Sequence, residues 1–150
     1  MLLTGIHHRL VDEKRRVAIP KRLRDSLREA LEEGLFVAPA TDGSLAIYTA
    51  GALESVAGRL AAASPTREDV RAFSRLFYAQ CEQVEVDKQG RMRIPERLAE
   101  LAGLTKEAVL IGVHDHLELW DKGRWEQYFS QKGRQYDELA ERAFDVPPKL

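Results

Sequence analysis

Two short stretches carry the residue types best suited to chemistry. Asp12-Glu13-Lys14-Arg15-Arg16 and Asp87-Lys88-Gln89-Gly90-Arg91 each set an aspartate before an arginine, across residues that read as a polar turn. A two-stranded β-ribbon can enter the major groove of DNA, where arginine's paired donors match the O6 and N7 acceptors of guanine. Such a bidentate contact discriminates between bases by roughly 1–3 kcal/mol. Arg16 and Arg91 are the candidate readers. Lys14, Arg15, Lys88 and Arg93 are candidates for phosphate neutralisation or help at base edges, and Lys21, Arg22 and Arg24 for further backbone contacts. The same pattern also suits cross-turn ion pairs, Asp12–Arg16 and Asp87–Arg91, on an ordinary hairpin. From one copy alone the two readings weigh equally.

Charge distribution bears on the choice. From His7 to Arg28 eight basic residues face three acids, in a chain whose net charge is −1. Local excess of that kind suits a polyanion, although a solvated basic helix face produces it too. Other chemistry has little to stand on. His7-His8 and His114-x-His116 are the histidine pairs, and the second lies at a predicted turn, where surface roles prevail over metal binding. Cys81 is the single cysteine, so no internal disulfide forms, and it reads as a small apolar residue beside Tyr78 and Ala79. The sequence has no Gly-rich phosphate loop and no nucleophile elbow. No catalytic residue, metal, cofactor or small-molecule substrate is assigned.

What positions the two stretches is a duplication. Asp12–Pro20 aligns with Asp87–Pro95, sharing Asp, Arg, Ile and Pro, and the match runs on into Arg22-Leu23 and Arg97-Leu98. With a short deletion in the second copy, Leu35–Ala38 then resembles Val109–Gly112, and Leu45–Tyr48 resembles Leu117–Trp120. Two copies of one reader suit repeated sites.

Each copy has a readable order of elements. Residues 5–11 predict a strand, Asp12–Arg15 a turn and Arg16–Ile19 a short alternating strand. Pro20 opens a helix carrying Leu23, Leu27, Ala30 and Leu31, which Gly34 stops. Leu35–Pro39 and Leu45–Thr49 flank the turn residues Thr41-Asp42-Gly43-Ser44. In the second copy Cys81–Val86 leads into the turn, Arg91–Ile94 leaves it, and Pro95–Ala102 is a helix closed by Gly103. Val109–Val113 and Leu117–Trp120 form the closing hairpin. Helices follow each copy. Ala50–Ala63 bears Leu53, Val56, Ala57 and Leu60, while Thr66 is the expected cap of a helix with Val70, Phe73, Leu76 and Phe77. A last helix spans Lys122 to about Arg142, and the tail from Asp145 to Leu150 is expected to be loose.

At 44% hydrophobic and 31% charged over 150 residues, the chain reads as an ordinary globular protein with a real core. It has no apolar run long enough to span a bilayer and no signal-peptide layout, so a cytoplasmic location and no membrane partner are expected.

Val86-Asp87-Lys88-Gln89-Gly90-Arg91-Met92-Arg93-Ile94-Pro95 resembles the Asp-x-x-Gly-Arg hairpin of SpoVT/AbrB-like domains. Leu101-Ala102-Gly103-Leu104-Thr105-Lys106-Glu107, followed by Leu117-Glu118-Leu119-Trp120-Asp121 and Trp125, resembles the second half of the MraZ family. Leu10 to Pro20, with Arg22 and Arg24, resembles its first half. The resemblance implies an α+β fold of two tandem AbrB-like units, swapped-hairpin or double-psi-barrel-like, with flanking helices and a pseudo-twofold duplication. The units are expected at 1–50 and 81–121, with a helical connector at 51–80 and a C-terminal helix and tail at 122–150. It further implies a transcriptional regulator that binds double-stranded DNA at direct repeats in the promoter of the division and cell-wall gene cluster. Such a regulator is nucleoid-associated and forms a homo-oligomeric ring. Lys14, Arg16 and Arg91 match the family's DNA-contacting positions. The alternative is an AbrB-like interaction module, or a structural ring without specific DNA readout. One departure stands out: Arg15 occupies a position where the family has glycine. The expectation is a first hairpin that keeps its shape with an altered turn.

Overall fold

The computed structural model describes residues 1–145, so the expectation for the tail beyond Asp145 lies outside the described residues. Short alternating segments build β1 (Ile6–Leu10) and β2 (Arg16–Ala18), and Pro20 then opens α1 (Lys21–Glu33). Leu23 and Leu27 of α1 point into the core, and the helix stops at Gly34, whose φ of 85° suits a residue without a side chain. β3 (Leu35–Pro39) and β4 (Leu45–Tyr48) follow, then α2 (Ala50–Ala61) and α3 (Glu68–Gln80). The second copy repeats the order. It gives β5 (Glu82–Val84), β6 (Arg91–Arg93), α4 (Glu96–Leu101), β7 (Glu107–Val113) and β8 (His116–Asp121), followed by α5 (Lys122–Gly133) and α6 (Tyr136–Phe144).

The two copies interlace as an α+β fold. A six-stranded antiparallel sheet runs β1-β7-β8-β4-β3-β5, so each copy lends its first strand to the other copy's hairpin. At its centre Leu45 faces Leu119 and Ile47 faces Leu117, a register that exchanging the copies leaves unchanged. A separate ribbon pairs β2 with β6. Arg16 faces Arg93, Ala18 faces Arg91, and Val17 faces Met92 at the pseudo-dyad. Leu23, Leu35, Leu45, Met92, Leu98, Leu110 and Leu119 belong to one continuous core between ribbon, helices and sheet. Trp120, Trp125 and Tyr128 form a smaller aromatic cluster with Val109 and Ile111 under α5.

The symmetry extends to helix starts. The Thr49 hydroxyl accepts the Ala52 N–H at 3.1 Å to cap α2, and at the corresponding place the Asp121 carboxylate accepts the N–H groups of Gly123 and Arg124 to cap α5.

Several expectations are corrected. Residues 5–11 and 16–19 do not pair along their length. A single bridge, Val11 to Val17, joins the arms before they diverge into different sheets, and Val86 to Met92 repeats this in the second copy. The strand expected over Cys81–Val86 shrinks to β5 for the same reason. Thr66 does not cap α3. Its hydroxyl bonds to Ser64, the helix begins after Arg67, and Asp69 instead holds the Arg67 guanidinium and its neighbour's amide. The last helix is two. The chain breaks at Arg134-Gln135 after Gly133, a weak helix former, and restarts when Leu139 donates to the Gln135 carbonyl. No helix among the described residues is long and apolar enough to cross a membrane.

Candidate nucleic-acid interface

Each turn into the ribbon is built by its aspartate. Oδ1 of Asp12 accepts the amide protons of Lys14 and Arg16 at 2.9 and 2.8 Å, and Oδ2 accepts Nε of Arg16 at 2.7 Å. Asp87 does the same for Gln89, Arg91 and Arg91 Nε, at 2.9, 2.9 and 3.0 Å. This is the Asx turn that a short acidic side chain makes with its own backbone. The Arg16 amide holds the Asp12 carboxyl below the ordinary carboxylate range, helped by the guanidinium, and Arg91 acts likewise on Asp87.

The expected change of turn does not occur. Arg15 adopts φ 60° where Gly90 has φ 76°, and both donate to the aspartate carbonyl at 2.9 Å. A side chain in the left-handed region costs roughly 1–2 kcal/mol, and the surrounding bonds hold Arg15 there. Its Nε donates to the Ile94 carbonyl at 3.0 Å, while Ile94 N–H donates to the Arg15 carbonyl at 2.9 Å.

Alternation decides what the ribbon presents. Val17 and Met92 are fully buried on one face, so Arg16, Ala18, Arg91 and Arg93 share the other. Residues 12–18 and 87–93 together hold six cations against three acids. Lys14, Lys88 and Arg93 are exposed, and Arg16 and Arg91 are half-exposed. Both cross-turn ion pairs form, and each engages Nε of its arginine. Among the described residues no hydrogen bond occupies the terminal nitrogens of either guanidinium. The ion-pair and reader geometries are therefore compatible: the carboxylate fixes the plane of the guanidinium and leaves its outer edge free.

The remaining basic residues of the N-terminal stretch are partly spent on structure. Arg22 donates to the Thr4 carbonyl, Arg24 to the Ile19 carbonyl, and Arg9 to the His8 carbonyl. Two of these, Arg22 and Arg24, read from the sequence as backbone contacts to DNA. The role of Arg24 was invisible in one copy. Laying the copies side by side would have flagged it, because Arg24 aligns with Ala99 just as Arg15 aligns with Gly90.

His116 lies between Asp115, bonded to Nδ1 at 2.9 Å, and Glu118, 3.7 Å from Nε2, and His114 sits at φ 67° in the β7–β8 turn. Among the described residues no group of three or more His, Cys, Asp and Glu side chains is placed to hold a metal ion. Burial pushes the Cys81 thiol up, which leaves it a poor nucleophile.

Comparison with known proteins bears on this geometry. A regulator from Pelotomaculum thermopropionicum named "Transcriptional regulator MraZ" is 40% identical over 147 residues, covering 97% of each chain. The chain belongs to the MraZ family. Two further MraZ relatives carry the same name. That of Finegoldia magna is 37% identical, covering 91% of this chain and 92% of its own. That of Saccharopolyspora erythraea is 36% identical, covering 93% and 95%. The MraZ family model, described as "MraZ protein, putative antitoxin-like", matches residues 77–146, which span β6, the second turn and α5.

Proposed function

We propose that the chain is a sequence-specific DNA-binding transcriptional regulator, and that the β2–β6 ribbon is its reading element. The observation that carries this is the ribbon's outer face. Two strands roughly 4.8 Å apart form a body narrow enough for the major groove, about 12 Å wide, and arginines from both copies lie on its exposed side. Arg16 and Arg91 read guanine edges with the guanidinium edge that their aspartates leave free. Lys14, Lys88 and Arg93 neutralise phosphates and fix register. The names of the relatives support a regulatory role, and recognition rather than catalysis is the chemistry this surface offers.

The finer reading is action in the cytoplasm, at the nucleoid, on direct repeats in the promoter of the division and cell-wall genes. Residues 1–50 and 81–121 supply the interlaced reading units, and 51–80 and 122–150 supply the arms of a homo-oligomeric ring. Exposed apolar side chains on those arms support assembly: Phe73 and Leu76 on α3, and Phe129, Tyr136 and Phe144 on α5 and α6. The same side chains would serve a ring-forming module without DNA readout, which is the second reading.

Binding of the purified protein to its own upstream DNA across a salt series separates the two. Specific binding that falls steeply with salt and is lost in Arg16→Ala and in Arg91→Ala is expected, because neutralised phosphates release counterions. Absence of binding at low salt would leave the structural ring.

A further inference from the structure

The two ends of the ribbon solve one problem in two ways. At each end a carbonyl precedes a proline, Ile19 before Pro20 and Ile94 before Pro95, with the isoleucine side chain buried. Each carbonyl accepts a guanidinium Nε at 3.0 Å. At one end the donor is Arg24, reaching from α1. At the other it is Arg15, reaching from the turn. The backbone around them matches, since Ile19 N–H donates to the Gly90 carbonyl at 2.8 Å and Ile94 N–H to the Arg15 carbonyl at 2.9 Å.

The space around each donor is complementary. A side chain on Gly90 would place its Cβ 2.5 Å from Cδ of Arg24 and 2.7 Å from its Nε, so Arg24 occupies the room above that glycine. At the other end Arg15 and Ala99 line one cavity, and Ala99, at the place on α4 that corresponds to Arg24 on α1, is small enough to leave Arg15 its room. One arginine is needed per end, and either the turn or the helix can supply it.

We infer that Arg15 and Arg24 are an interchanged pair of positioning residues. Each clamps one end of the β2–β6 ribbon through the carbonyl before the proline, and thereby fixes Arg93 and Arg91 on the reading face. Arg15 thus acts through β6 and not as a phosphate contact. Its value for DNA binding rests on the proposal that the ribbon is the reading element, whereas the clamp itself does not.

The test moves the arginine from turn to helix in the full-length protein. Arg15→Gly is expected to speed amide exchange at Ile94 and Met92 several-fold in the free protein and to weaken DNA binding about tenfold. The slope of log affinity against log salt should stay unchanged, since no phosphate contact is lost. Lys14→Ala, by contrast, should lower that slope by about one. The double variant Arg15→Gly/Ala99→Arg recreates the arrangement found at Gly90 and Arg24. It is expected to restore both protection and affinity to within about twofold of the parent. Arg15→Lys keeps the charge but lacks Nε of the guanidinium, so it should behave like Arg15→Gly. A salt slope lowered by Arg15→Gly, with Arg15→Lys binding normally, would overturn the inference in favour of a phosphate contact. Exchange at Ile94 unaffected by Arg15→Gly would overturn it too. If no form binds DNA while protection follows the arginine, the clamp stands and the DNA reading falls.

Discussion

At Asp12 and Asp87 one carboxylate accepts two backbone amides and a guanidinium, so the turn depends on its charge as much as on its shape. Both acids are held below the ordinary value of 3.8. A depressed folded-state pKa contributes stability that is whole above the unfolded value and is lost as pH falls through the folded one. Urea midpoints should therefore drop between about pH 5 and about pH 3, and drop less in Asp12→Asn/Asp87→Asn, whose amides keep an acceptor oxygen but not the charge. His116 carries the opposite sign. Glu118 beside Nε2, with Asp115 at Nδ1, holds its pKa above 6.5 against the desolvation that opposes it. That stabilisation is complete below the unfolded value and is lost as pH rises through the raised one. Thermal midpoints should fall on going from about pH 6 to about pH 8.5, and His116→Gln should flatten the fall.

Among the elements, α2 allows two substitutions of opposite sign. Removing the Thr49 hydroxyl orphans a buried helix-start amide, so Thr49→Ala should lower unfolding free energy by about 1 kcal/mol. Gly58 lies inside the same helix with open space where a Cβ would sit, so Gly58→Ala should raise it by about 0.5–1 kcal/mol. Chemical denaturation of both variants checks the pair. Helix α1 was legible in the sequence because Leu23 and Leu27 recur at helical spacing between Pro20 and Gly34. The ribbon was legible in part. Alternation puts Val17 and Ile19 on one face, and both are buried, but alternation is the same whichever strand lies alongside. Partner choice is a non-local fact, and so the exchange of β1 and β5 between copies came from the swapped hairpin that the family resemblance implies, while its register did not appear. The restart at α6 was missed because Trp125 to Leu139 keeps an apolar rhythm across Gly133 and hides the break. Of the candidate site residues, Lys14, Lys88 and Arg93 are exposed and Arg16 and Arg91 half-exposed, and their contact with DNA is the proposal that the binding experiment tests. Arg15 turned inward for a reason only the opposite copy supplies: the room left at Ala99.

At the scale of the whole molecule, the pseudo-dyad runs through one ribbon and relates two copies, and the helices that follow each copy carry exposed apolar side chains. Phe73 is 51% exposed and Phe144 92%. Single ribbons bury little DNA surface, and a few phosphate contacts give modest affinity at physiological salt. Copies joined through their arms would instead present several ribbons at once. After the first ribbon binds, each later one engages at an effective concentration set by the assembly, which can raise overall affinity by about 10²–10⁴ without a new contact. Substitutions in arm and ribbon should then have separable effects. Phe73→Glu/Leu76→Glu should reduce the assembly to smaller species in sedimentation. It should leave affinity for DNA with one repeat within about twofold, and weaken binding to DNA with several repeats by about a hundredfold or more. Arg16→Ala should do the reverse, sparing assembly and weakening both DNAs. Were the arm variant to weaken the single-repeat DNA as strongly as the multiple one, the arms would be part of the reading surface and the division of labour between ribbon and arm would be wrong.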